Sequence, residues 1–305
     1  MVLSLPDGIT WRPLTRDDAD LCAELLNEDE RWLGRPGRLS GADIRSWWLR
    51  TDLTDGSWLL EEDGHPIALG WADVHDGNAH GGSIVLPDAK NRGLGGLLVR
   101  HAEGWARDHG AARMRQQVLG EDAAAHTLLE AHGYRAARHH YEMAIEMDSA
   151  PPASPALPGG LVMDTFNDVD AREFYDAITE AFADEWGFVS LPFDEWWVMR
   201  RNDESFDPEL WLVVRDRERI AAYARCEAGR FGGGFVGMLG VRREYRRRGL
   251  GLALLLEAFG EFWRRGTHRV TLGVDSENPT GATRLYERAG MHIESTDVTF
   301  EKVLA

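Results

Sequence analysis

The feature that most restricts the fold of this chain is an internal repeat. Arg92-Gly93-Leu94-Gly95-Gly96-Leu97-Leu98 returns 156 residues later as Arg248-Gly249-Leu250-Gly251-Leu252-Ala253-Leu254. Leu128-Leu129-Glu130-Ala131-His132-Gly133-Tyr134 returns 157 residues later as Leu285-Tyr286-Glu287-Arg288-Ala289-Gly290-Met291. Two separate blocks recurring at almost one period mean that a single structural unit has been used twice, so any fold for one half must also serve the other. Residues 149–160, with four prolines and two glycines, have the composition of a semi-rigid linker. The expected organisation is an N-terminal domain over 1–148, a linker over 149–160 and a C-terminal domain over 161–305. A length of 305 residues accords with two domains.

The order of elements repeats as well. An apolar strand ending near Leu14 precedes Thr15, an N-cap ahead of a helix through Leu21, Leu25 and Leu26. Strands over 57–61 and 66–74 then alternate around Glu62-Asp63-Gly64, a hairpin signal. The second half copies this with a strand over 161–165, a helix through Phe174, Ile178 and Phe182, and strands over 210–215 and 219–227. The unit is α+β, with a glycine-rich loop, helix, strand, helix and closing strands after the hairpin.

Composition narrows the function classes. Thirty-four Lys and Arg against fifty-one Asp and Glu leave a net charge of −17, which argues against nucleic acid as the partner. An acidic surface suits either a cationic partner or simple solubility. Cys22 and Cys226 are too few and too far apart for a disulfide framework or a zinc site, so no metal is expected. The opening residues lack a basic segment before an apolar one, and no apolar run is long enough to span a bilayer. A soluble cytoplasmic protein without a membrane partner is expected, and its Ala, Arg and Gly usage is compatible with a GC-rich bacterium.

The chemistry concentrates in the glycine loop. Arg246-Arg247-Arg248-Gly249-Leu250-Gly251 follows a strand over 235–241 and opens an apolar helix over 252–263. A strand feeding such a turn offers unpaired N–H groups and the positive end of a helix dipole, and glycine lets a pyrophosphate approach the backbone. Arg242, Arg243, Arg246, Arg247 and Arg248 reverse the local charge of an acidic chain, which is explained by a phosphate. The third glycine and downstream acid of a dinucleotide fingerprint are missing, as is the Gly-Lys-Ser/Thr of a P-loop. Nicotinamide oxidoreductase and kinase readings therefore fall.

Val241-x-x-x-Tyr245-Arg246-Arg247-Arg248-Gly249-Leu250-Gly251, followed by Asn278-x-x-x-Ala282-x-x-Leu285-Tyr286-Glu287-x-x-Gly290-Met291, resembles the acyl-coenzyme A signature of the GNAT superfamily of N-acetyltransferases. The resemblance covers nearly the whole chain as two tandem units, and the layout is similar to that of the mycothiol synthases, where the C-terminal unit carries catalysis. It implies the GNAT fold twice over, each a mixed, mostly antiparallel sheet flanked by helices, with acetyl-CoA as cosubstrate. It further implies that the backbone of Leu239, Gly240 and Val241 bonds the pantetheine arm. The N–H groups of Arg246, Arg247, Arg248, Gly249, Leu250, Gly251 and Leu252 would hold the pyrophosphate, and Asn278 the arm near its reactive end. Tyr286 would protonate the departing thiolate as an amine attacks the acetyl carbonyl directly in a ternary complex. The expected fourth strand, 235–241, holds no carboxylate to act as base. Glu227, Glu185 and Asp184 are the substitutes, directly or through water.

The halves differ where chemistry matters. Lys90 stands for Arg246, Glu121 for Asn278 and Leu129 for Tyr286. Leucine cannot donate a proton, so the first unit is expected to be degenerate, either structural or binding acetyl-CoA without turnover. Trp186, Phe188, Trp196 and Trp197, interleaved with Asp184, Glu185 and Glu195, suggest either an acceptor groove for a cationic, partly apolar amine or packing at the junction of the units. The acceptor is expected to be a small primary amine, with a mycothiol precursor or a protein amine as alternatives. A non-catalytic acyl-CoA sensor or partner-binding module is the rival class. The protein is expected to be a monomer or a homodimer.

Overall fold

The computed structural model describes residues 5–153, 156–183, 185–278 and 280–304. In chain order the first repeat contains β1 (Ile9–Arg12), α1 (Ala19–Trp32), α2 (Gly41–Trp47), α3 (Leu53–Gly56), β2 (Ser57–Glu62), β3 (His65–His75), β4 (Asn78–Val85), α4 (Leu94–Asp108), β5 (Arg113–Leu119), α5 (Ala123–Ala131) and β6 (Arg135–Glu146). The second contains β7 (Leu161–Thr165), α6 (Ala171–Phe182), α7 (Phe193–Arg201), β8 (Trp211–Asp216), β9 (Arg219–Arg230), β10 (Gly233–Val241), α8 (Leu250–Arg264), β11 (Arg269–Asp275), α9 (Ala282–Arg288) and β12 (His292–Val303). The element order inferred from the repeat is present in both halves. The hairpin at Asp63-Gly64 forms with both residues at positive φ, +50° and +77°, as a tight turn between twisted strands requires.

The chain forms two compact units, which do not follow the linear order of the repeats. Unit 1 is residues 1–140 together with 296–305; unit 2 is residues 141–295. In unit 1 the strands run β1-β2-β3-β4-β5-β12, the last through its residues from 296 onward. β4 and β5 are parallel, whereas β5 and β12 pair antiparallel from Asp297↔Leu119 to Val303↔Arg113. Val298, Phe300 and Leu304 are buried in a core built on Leu94, Leu98, Val99 and Ala102 of α4. Lys302 donates to Glu103 of the same helix at 2.7 Å.

In unit 2 the order is β7-β8-β9-β10-β11-β6, the last through residues 141–146. Met143 and Ile145 join the core formed by Leu254, Leu255, Phe259 and Phe262 of α8. Strand alternation sends Ala222, Ala224 and Cys226 of β9 to that face and Tyr223 to the opposite one, where it meets Phe174 of α6, Trp196 of α7 and Trp211. No helix among the described residues is long and apolar enough to cross a membrane.

Candidate active site

The site begins with a parting of strands. In unit 2, β10 pairs with β11 only at Gly234↔Val270 and Phe235↔Thr271. Immediately afterwards β10 carries a bulge: Val236 faces Cys226 and Met238 faces Arg225, leaving Gly237 as the extra residue. A bulge bends the strand that carries it. Beyond it Leu239, Gly240 and Val241 keep their antiparallel partners on β9 but have none on β11. Their outward N–H and C=O groups thus face a widening gap, as a strand-like ligand arm would need. Unit 1 repeats the parting but not the bulge: β4–β5 pairing ends at Gly81↔Gln116, while β4 keeps a continuous register with β3.

The glycine loops match closely. Asn91 and Arg247 both adopt φ +63°, and the helix N-caps Gly93 and Gly249 lie at +81° and +80°. The loop therefore turns its N–H groups the same way in both units ahead of the fifteen-residue helices α4 and α8. Gly251 lies where an added Cβ would come within 3.0 Å of Leu285, so it also lets α8 pack closely on α9. Leu250 is buried and Leu252 half-buried.

The arginine run divides into inward and outward groups. Arg242 is buried, bonding Glu180 at 2.6 Å, Glu173 at 2.9 Å and the carbonyl of Ile220. Arg246 reaches the carbonyls of Val241 and Ala181, both at 3.2 Å, and so ties the end of β10 to the end of α6. Both guanidiniums are bonded within the protein. Arg243, Arg247 and Arg248 are exposed, and Arg248 lies over the Tyr245 ring. Arg242 and Arg246 brace the loop.

Gly240 has a role its backbone alone does not suggest. A Cβ at Gly240 would overlap the phenol ring of the fully buried Tyr223 on the paired strand. Gly240→Ala should therefore lower thermal stability, at a cost of about 1–3 kcal/mol for overpacking, and raise KM for acetyl-CoA as β10 shifts. Calorimetry with steady-state kinetics checks both, and unchanged values would show that the ring can move aside.

Three of the inferred site residues come together. Asn278 Nδ2 donates to Glu185 Oε1 at 2.9 Å, joining the loop after β11 to the segment after α6. Tyr286 on α9 is 8% exposed, and its phenol is pushed up to about 12, first by burial and then by the negative charge of Glu185. Glu227 stands elsewhere, buried on β9 within 3.1 Å of Arg225, 3.6 Å of Arg230 and 3.2 Å of Ser205. Asp184 lies outside the described residues.

Of the four aromatic residues, Trp196 and Trp197 are packed inside unit 2 with Phe166, Phe206 and Trp211. Trp196 is buried there, which takes its ring out of an open groove, whereas Trp197 is half-buried. Phe188 is half-buried against Phe182, while Trp186 and Glu195 are exposed. The two cysteines are buried, and burial pushes both thiols up, which makes them poor nucleophiles.

In unit 1 the gap between β4 and β5 opens as a cavity of about 480 Å³, bounded by Val85, the 93–96 loop, residues 116–118 and Leu129. Leu129 fills the position of Tyr286 without a polar atom. Lys90 at its rim is held by Asp29 at 3.0 Å and lies over the Trp32 ring. Glu121 is bonded to Arg35 at 2.9 Å, so its charge is met there, while Asp122 caps α5.

The acetyltransferase (GNAT) family model matches this chain over residues 20–134 and 171–291. A mycothiol acetyltransferase from Thermobispora bispora is 31% identical over 254 residues, covering 80% of this chain and 83% of that protein. Another from Thermobifida fusca is 30% identical over 273 residues, 81% and 82% of the two chains. Among solved structures, a GCN5-related N-acetyltransferase from Sphaerobacter thermophilus superposes with a TM-score of 0.85 at 33% identity, covering 99% of this chain and 97% of its own. A tandem GNAT protein from the clavulanic acid biosynthesis pathway shares the fold at a TM-score of 0.75 and 17% identity, over 97% and 99% of the two chains.

Proposed function

Because the chain belongs to the acetyltransferase (GNAT) family, and is therefore an acetyl-CoA-dependent N-acetyltransferase, we propose that unit 2 moves the acetyl group to a small primary amine by direct attack in a ternary complex. The observation that carries this is the meeting of Asn278, Glu185 and a high-pKa Tyr286 beside the parted end of β10 and β11. Each has a task there. The parted backbone of Leu239–Val241 lines the arm of the donor, and the N–H groups at the start of α8 receive its pyrophosphate.

Glu185, held by Asn278, takes a proton from the incoming ammonium, directly or through water. It suits this better than Glu227, whose carboxylate is occupied by two guanidiniums. The amine nitrogen bonds to the acetyl carbon, the carbon–sulfur bond breaks, and the electron pair leaves on sulfur as thiolate. Tyr286 gives that thiolate its proton, the nitrogen sheds its second proton to solvent as the neutral amide forms, and Tyr286 is reprotonated from solvent. Positioning and backbone polarisation of the carbonyl supply the rest.

A phenol with a pKa of about 12 stays protonated far above neutrality. The acid form is the working form, so kcat should fall only as pH rises toward that value, and no descending limb from Tyr286 should appear below about pH 10.5. A pH profile of kcat with a descending apparent pKa of about 9 would remove Tyr286 from this role.

Unit 1 is read as binding acetyl-CoA without turnover, on the strength of its matching loop and open cavity with Leu129 in place of the phenol. The relatives named mycothiol acetyltransferase offer one specific acceptor, a mycothiol precursor. Release of the CoA thiol, measured against polyamines, aminoglycosides, amino acids, a lysine peptide and the cysteinyl pseudodisaccharide, tests the reaction and its acceptor together. Binding of acetyl-CoA with silence across the panel would favour a sensor.

A further inference from the structure

A second polar assembly stands on the bulge of β10, apart from the Asn278–Glu185 pair. Arg225 and Glu227 project from β9 on the face opposite the one that packs on α8, by alternation from Ala224 and Cys226. Arg225 Nη2 and Glu227 Oε1 lie 2.8 and 3.1 Å from the point where a Cβ on Gly237 would be, so the missing side chain of the bulge residue is the space they occupy. Arg230 approaches the same carboxylate at 3.6 Å. From the end of α7, Arg200 meets Asp203 at 3.5 Å, and Ser205 bridges Asp203 and Glu227 through 2.8 and 3.2 Å hydrogen bonds.

These side chains are largely out of water: 12% exposed for Arg225, 6% for Arg230 and Glu227, 4% for Asp203 and 19% for Arg200. Three guanidiniums share this site with the carboxylates of Asp203 and Glu227, and the Nε of Arg225 has no hydrogen-bond partner among the described residues. The strain is visible at Arg200, which is driven down to about 10, first by burial and next by Arg225. A buried cation that lacks a full complement of acceptors is costly, and an added carboxylate would supply charge-assisted hydrogen bonds that lower this cost.

Position decides which anion. The pyrophosphate end of the donor belongs at the loop that follows Val241, while Gly237 lies four residues back along β10, about 13 Å away at the rise of a strand. The donor arm runs from the loop toward the bulge, so the guanidiniums stand beyond its acetyl end, where the acceptor must enter. Glu227 already shows what they accept there: a carboxylate held by two arginines.

We propose that Arg225, supported by Arg200 and Arg230, receives a carboxylate of the acceptor, so that the substrates of unit 2 are small primary amines bearing a carboxylate, the chemistry of amino acids. This rests on unit 2 being the catalytic unit and narrows its acceptor. The cationic groove inferred from sequence gives way to a site that reads both charges of a zwitterion, with the acidic side at Glu185 and the basic side at Arg225. Arg225 is a specificity residue, and Glu227 and Ser205 are positioning residues that hold it over the bulge.

The test compares matched acceptors. Initial rates of CoA release are measured for amine and amino acid of one skeleton, such as phenethylamine and phenylalanine, or 1,4-diaminobutane and ornithine. Ethanolamine and phosphoethanolamine form a phosphate arm. The expected result is a kcat/KM at least about tenfold higher for the carboxylate-bearing member, carried by KM. Arg225→Gln should abolish that preference, the KM of the carboxylate-bearing member rising to that of the plain amine measured with the same variant, and Arg225→Lys should restore part of it. A carboxylic acid without an amine, such as 3-phenylpropionate, should compete with the amino acid in the wild-type enzyme, a readout that needs no variant. Equal rates for both members, or a preference for the phosphate, would overturn the carboxylate assignment and leave the transferase reading standing. No acetylation of any member, with acetyl-CoA still bound, would overturn the catalytic reading of unit 2 and this proposal with it.

Discussion

Tyr286→Phe lowers kcat by about 10²–10⁴-fold at saturating acetyl-CoA, the range for loss of a general acid, and leaves the affinity for acetyl-CoA within about twofold. The split between the two constants is the informative part. The phenol is 8% exposed and lies in the core of unit 2, so removal of its oxygen keeps the ring and its packing. What disappears is the one proton held beside the thiolate. Stopped-flow rates with calorimetric binding of acetyl-CoA measure both sides. A rate unaffected by the change would mean that water protonates the sulfur. The companion Leu129→Met, at the equivalent buried place in unit 1, should leave kcat unaltered; a loss there would move catalysis to the other unit.

Removing residues 296–305 should unfold unit 1 and spare the core of unit 2. The deletion takes away the strand paired with β5 from Leu119 to Arg113 and the buried side chains Val298, Phe300 and Leu304. Truncation of one buried phenylalanine costs about 3–5 kcal/mol, against a total stability of about 5–15 kcal/mol for a domain. Glu103, 5% exposed, loses Lys302 at the same time, which leaves its charge less compensated in the interior. Hydrogen exchange reads the outcome locally: amides of β4, β5 and α4 should lose protection while those of β9 and α8 keep it. Protection persisting in unit 1 would show that this segment is not part of its sheet. Phe300→Ala is the milder version, with a lowered Tm in place of unfolding.

Much of this architecture could be read before the fold was known, for definite physical reasons. The loops were legible because glycine at positive φ and a helix start are local requirements, written in consecutive residues such as Arg248-Gly249-Leu250-Gly251. The same locality made the Asp63-Gly64 hairpin visible. Strand exchange was not legible, because the closing strands of the two repeats carry similar patterns, and a pattern states that a segment is a strand without stating which sheet it completes. The division of the loop arginines was hidden for a related reason: Arg242 and Arg246 look identical to Arg247 and Arg248 in sequence, and only the acceptors at Glu173, Glu180 and Ala181 separate their side chains.

The cluster on the bulge escaped notice because Arg200, Asp203, Arg225, Glu227 and Arg230 are spread over a helix end and a strand, each resembling an ordinary surface charge. Trp196 and Trp197 erred in the other direction. Their place between acidic residues suggested a ligand surface, while Trp196 is buried against Trp211 and the half-buried Trp197 packs on Phe166 and Phe206.

The makeup of unit 1 sets an order on its birth. Its first 140 residues leave the ribosome as a sheet whose β5 edge has no neighbour, and the segment that covers that edge is translated only after all of unit 2. At about 5–20 residues per second the wait is roughly 8–30 s. An open edge of this kind is a template for pairing with other chains. The nascent N-terminal half therefore depends on protection that the later-made half does not need, and a nonsense mutation anywhere downstream strands it in that exposed form.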